Sequence, residues 1–156
     1  MKQRTVIWAF LVGGTIAGAL DILFAISFAS YRGMAPAHLL QTVASGALGN
    51  AAFSGGVSTA ALGLALHFAL SYLWAAIFLI ATWRIPVLAR RPLISGIGFG
   101  VVVFLTMRLV VLPLSAFPFP VTFKPLGSVL DLLSHMCLFG FPIAAAAGKT
   151  ALARRV

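Results

Sequence analysis

Two carboxylates, one guanidinium and two imidazoles stand inside apolar segments of this chain: Asp21, Asp131, Arg108, His67 and His135. Asp21 and Asp131 are its only acidic residues. Ionised groups within a bilayer are costly and mark ion paths, proton relays or binding sites, so each is a candidate for proton or ion chemistry. Arginine keeps its proton while either aspartate can take one up, and the count leaves one negative charge over. That charge is neutralised by protonating an aspartate, by charging His67 or His135, or by binding a cation, and each option makes the site respond to pH or ions. Asp131 and His135 are four apart and share a helix face. Gln41 is a further candidate at the mouth of such a site. A structural alternative stands beside this one, with Asp131 reaching the outer headgroups and Asp21 pairing with Arg108 between helices.

The elements that must position these groups are membrane helices. The 156 residues are 62% hydrophobic and 8% charged, against roughly 25% charged in soluble domains. Four apolar stretches, at about 5–29, 56–82, 93–115 and 126–147, are each long enough to cross a core of roughly 30 Å. Arg32-Gly33 with Pro36, Pro86 and Pro92 among arginines, and the Pro-rich Phe117-Pro118-Phe119-Pro120 break the pattern between them. The expected fold is an all-α integral membrane four-helix bundle in a single transmembrane domain, residues 1–156. Between helices one and two, Leu39, Leu40, Val43 and Ala47 recur at helical spacing, with Pro36 placed for a first helical turn and Gly49 for a C-terminal cap. That segment, about 36–48, is too short to span and predicts an interfacial or re-entrant helix.

Lys2, Arg4, Arg84, Arg90, Arg91, Lys149, Arg154 and Arg155 fall on the side of both termini, against Arg32 and Lys124 opposite. The positive-inside rule therefore puts both termini in the cytoplasm. A cleaved signal peptide competes for the first run, since Lys2 and Arg4 precede it and Ala17-Gly18-Ala19 resembles a cleavage site, but the apolar stretch continues to Phe28 as a retained span does. At about 1.5 Å per residue, Asp21 lies about 24 Å and Arg108 about 22 Å from the cytoplasmic side, and from outside His67 lies about 16 Å, Asp131 about 8 Å and His135 about 14 Å. All five then fall in the outer half of the bilayer. The inner halves of the helices are almost entirely apolar.

The formal charge of +9 does not point to nucleic acid, because the cations flank apolar runs instead of forming a cationic face. Cys137 is the only cysteine, which excludes an intrachain disulfide and a Cys-based zinc site. His67 and His135, on different helices at similar depth, have the placement of axial haem ligands, and Asp131 adds an oxygen ligand for a metal. Two histidines equally suit hydrogen bonds to carbonyls or to Ser71 and Ser134. No cofactor is the first expectation. Gly14-x-x-x-Gly18 and Gly96-x-x-x-Gly100 predict close helix contacts, not nucleotide binding. No hydrolase elbow, Walker lysine or HExxH motif occurs, so no reaction is named.

The pattern Gly18-Ala19-Leu20-Asp21, Tyr31-Arg32-Gly33, Leu40-Gln41-x-x-Ala44-Ser45-Gly46, Ala61-x-Gly63-x-x-x-His67-Phe68 and Val111-Leu112-Pro113-Leu114-Ser115 resembles a group of small, uncharacterised bacterial inner-membrane proteins. The resemblance covers most of the chain. It implies a compact four-helix membrane fold and a bacterial source, without a reaction or ligand to carry over. Asparagine is usual in that group where this chain has Arg108, which makes a charge pair on Arg108 a departure. Three functions remain open: proton- or cation-linked transport through the outer polar cluster; an accessory membrane subunit or small-ligand binder; and a haem or metal redox protein. The expected partners are the lipid bilayer and either a second copy or a membrane subunit.

Overall fold

The computed structural model describes residues 3–152. Lys2, Arg154 and Arg155 of the charge count lie outside them. Helix α1 runs Gln3–Tyr31, α2 Pro36–Leu48, α3 Gly56–Arg84 and the short α4 Val87–Arg90. The last two spans are α5, Pro92–Leu114, and α6, Pro125–Lys149. No strand occurs among the described residues. Four helices, α1, α3, α5 and α6, are long and apolar enough to cross a membrane, and the protein is an all-α, multi-pass membrane bundle.

Local chemistry explains the breaks. Gly33 adopts φ +82°, and the Met34 N–H donates back to the Ala29 carbonyl at 2.9 Å, a left-handed glycine stop that leaves the last turn of α1 satisfied. Pro36 opens α2, and Gly49 at φ +58° closes it while its N–H donates to the Ser45 carbonyl. A 3-10 turn, Gly49–Ser54, then leads into α3. Residues 115–124 are irregular, as prolines 118 and 120 require.

Helices α1 and α6 form the centre. α3 packs along α1, and α5 packs along α6. The remaining gap between α3 and α5 is bridged by aromatic rings, with Phe99 at 4.8 Å from Phe78 and 6.0 Å from Trp74. Backbone approach depends on glycine because lipid supplies no hydrophobic force between helices. A Cβ on Gly100 would run into the His135 carbonyl, and one on Gly140 into the Gly96 carbonyl. A Cβ on Gly18 would press on the Phe68 ring and the Ser71 hydroxyl at 3.0 Å. Both GxxxG pairs are thus helix contacts, the first against α3 and the second against α6. The core around them includes Ala9, Ala75, Phe78, Val103, Phe139, Ile143 and Ala147.

Helix α2 is not a free surface helix. Gly63 of α3 receives the Leu40 carbonyl where a Cβ would stand, and the Gly46 carbonyl accepts the Ala116 N–H at 2.9 Å. With Phe53 set between His38 and Phe119, α2, its 3-10 turn and the Pro-rich loop form a cap on one end of the bundle.

Candidate functional site

Two of the spans are locally widened beneath the cap. Met107–Val111 of α5 and His135–Gly140 of α6 are π-helical. A proline lies just beyond each. Pro113 has no N–H for the Leu109 carbonyl and its ring crowds it, and Pro142 does the same to Leu138, so each helix inserts an extra residue to relieve the clash. Both carbonyls belong to the widened segments. Arg108 sits in the first and His135 begins the second, a placement in keeping with the frequency of π-bulges at functional positions.

Arg108 joins α5 to α6. Its Nη2 and Nε donate to Asp131 Oδ2 at 2.8 and 3.2 Å, and its Nη1 donates to the Thr122 carbonyl at 2.8 Å. The guanidinium carbon lies 5.4 Å from the Phe104 ring centroid and 5.5 Å from that of Phe123, so two aromatic faces shield the cation. The other carboxylate oxygen of Asp131 is 3.2 Å from His135 Nδ1, which also lies 2.8 Å from the Asp131 carbonyl. A carbonyl only accepts, so Nδ1 carries hydrogen and Nε2 bears the lone pair of the neutral ring.

Asp21 has different company. The residue is 9% exposed, and its carboxylate accepts a bond from the Ser134 hydroxyl to Oδ1 at 2.6 Å. Ser134 precedes His135, so α6 carries one link to α5 and one to α1 on adjacent turns. The interhelix pair expected between Asp21 and Arg108 is not formed: Arg108 takes Asp131, because both project from α5 and α6, which touch, whereas α1 meets the other side of α6. His67 donates Nε2–H to the Gly18 carbonyl of α1 at 2.9 Å, the tautomer opposite to His135. A turn further inward, the Ser71 hydroxyl donates to the Gly14 carbonyl at 2.7 Å, and Thr15 and Tyr72 share a bond of 2.8 Å.

These links form a polar belt running α5, α6, α1, α3: Arg108 with Asp131 and His135, then Ser134 with Asp21, then Gly18 with His67. Gln41, the candidate for its mouth, belongs to the α2 cap. It is buried and donates to the Gly56 carbonyl at 3.0 Å and to Thr59 at 3.4 Å, pinning α2 to the start of α3. Asp131 and His135 offer an oxygen and a nitrogen ligand, but no group of three or more His, Cys, Asp or Glu side chains suited to one metal ion occurs among the described residues. Ser134, expected as a partner for a histidine, instead donates to Asp21; Thr122 and the widened turns escape a sequence reading centred on charged residues, and the signal for the turns is the pair Pro113 and Pro142. Chemically, the belt can exchange a proton at Asp21 or His135, or hold a small cation at the Asp21 carboxylate. No protein-family model, curated protein or solved structure matches the chain.

Proposed function

We propose that the chain is a multi-pass protein of a bacterial cytoplasmic membrane, with both termini in the cytoplasm and the α2 cap outside, whose polar belt exchanges a proton or small cation at Asp21. One observation carries this reading. Arg108 commits three of its donors to Asp131 and Thr122, and buried Asp21 has one hydrogen-bond donor, the neutral Ser134 hydroxyl, with the His135 imidazole the nearby group able to carry a positive charge. An ionised carboxylate in that setting needs a further positive charge, and a proton on Asp21 or His135, or a bound cation, supplies it. The imbalance of Lys and Arg between the two ends supports the orientation.

The belt is entered from one side in this reading. Inward of it, Phe78, Phe99, Phe139 and Ile143 fill the bundle, so a binding or coupling role, as an accessory subunit or small-ligand receptor, fits better than a fixed channel. Transport through the same site requires these helices to part. Infrared titration of the reconstituted protein tests the core of the proposal. A carboxyl band that responds to pH or sodium, disappears in Asp21→Asn and survives in Asp131→Asn is expected. A spectrum in which Asp21→Asn changes nothing overturns it. Proton or sodium flux in proteoliposomes then separates the roles, since a titrating but non-conducting protein is a binder and one whose flux needs Asp21 is a transporter.

A further inference from the structure

Both acidic residues of the chain lie in the polar belt, so the opposite end of the bundle is cationic with no acidic side chain to balance it. Five of its cations are described and exposed: Arg4 in α1, Arg84 at the end of α3, Arg90 and Arg91 between α4 and α5, and Lys149 at the end of the α6 span. Two have local partners. Arg84 sits in the last turn of α3, where a cation meets the negative end of the helix dipole. Lys149 Nζ lies 4.8 Å from the Trp8 ring centroid. Arg4, Arg90 and Arg91 form no ion pair among the described residues.

The setting of Arg90 and Arg91 is built, not floppy. Pro86 caps α4 and Pro92 opens α5, which fixes the backbone on each side of the pair. α4 rests on the end of α6, where a Cβ on Gly148 would stand 3.2 Å from the Ala89 carbonyl. Around the arginines, Trp83, Ile85, Val87, Leu93 and Ile94 are each at least half exposed. Two guanidinium groups on a constrained backbone beside an apolar rim match a phospholipid, whose phosphodiester accepts paired N–H donors while its acyl chains cover the apolar side chains. The exposed apolar rim favours a lipid over free phosphate, which has nothing to lay against it.

We infer that Arg90 and Arg91, at the turn between α3 and α5, form a headgroup site for an anionic phospholipid. The site stands apart from the belt and does not depend on the role of Asp21. Native mass spectrometry of the purified full chain with equimolar phosphatidylglycerol and phosphatidylcholine tests it. Phosphatidylglycerol should be retained preferentially by wild type, by up to about 25-fold on the scale of roughly fivefold for each of the two cations. The preference should fall to that of a zwitterionic lipid in R90Q/R91Q, persist in R90K/R91K and in the opposite-end control R32Q/K124Q, and weaken in high salt. Inorganic phosphate at millimolar concentration should not displace the lipid. Equal retention of the two lipids by wild type, or an undiminished preference in R90Q/R91Q, overturns the site. Displacement by phosphate reassigns it to a free anion and overturns the lipid. Should R90Q/R91Q fail to insert, the single variants R90Q and R91Q replace it, and a preference undiminished in both overturns the site.

Discussion

At the level of Gly96, Gly100 and Gly140 the backbones of α5 and α6 touch, whereas two turns outward the same helices are joined by the side chains of Arg108 and Asp131. The inner contact has one arrangement, set by van der Waals shape. The outer one is an ion pair held by hydrogen bonds, and in the proposed function it borders the group that exchanges a proton or cation. The same division holds on α1, where Gly13 meets Ala146 and Ile143 while Asp21 meets Ser134. A membrane bundle lacking a hydrophobic drive between helices uses both means, and here they are separated by depth. The apolar half makes a frame of close backbone contacts, and the ionisable groups of the belt lie in the capped half.

The comparison breaks most readily at the glycines. Gly100→Val places side-chain atoms against the His135 backbone, which cannot move aside as a side-chain tip does, so a loss of about 3 kcal/mol or more is expected. Thermal melts in detergent would read it, and a wild-type melt would refute backbone contact. Gly98→Ala, which meets open space, should be neutral or slightly stabilising in the same assay.

Next in size is Asp131→Ala, which strands the Arg108 cation inside the bundle and should cost about 2 kcal/mol. Removing both partners in R108M/D131M should recover most of that. A double variant as unstable as Asp131→Ala would show that Arg108 is not what suffers. Ser134→Ala deletes the one protein donor to Asp21 and should cost about 1 kcal/mol while moving the infrared band assigned to Asp21. An unmoved band would detach Ser134 from that carboxylate. The smallest change sharpens the inner half: Ser71→Ala, which removes a bond to the Gly14 carbonyl, should cost about 0.6 kcal/mol without altering any titration.

Much of the fold was legible in the chain because its causes are local. The number of spans follows from apolar runs of sufficient length, and their bounds agree with the structure to within two residues. Pro36 and Gly49 mark α2 through a fixed φ and a permitted positive φ. The two GxxxG pairs announce close contacts because only a missing Cβ allows them. The polar residues of the belt were legible as types, since an ionisable group in an apolar run is conspicuous wherever it points.

Partnership was not. These spans are apolar on nearly every side, so hydrophobic periodicity gives no rotation about the helix axis, and depth alone leaves Arg108 equally able to meet Asp21 or Asp131. Only the packing order, with α6 between α1 and α5, hands Arg108 to Asp131 and leaves Asp21 to Ser134. Composition and local stereochemistry therefore determined that this is a four-span membrane protein with an uneven charge distribution. Tertiary structure decided which charge is compensated, because that depends on the neighbouring helix and on widened turns at Pro113 and Pro142 that rotate side chains by part of a turn.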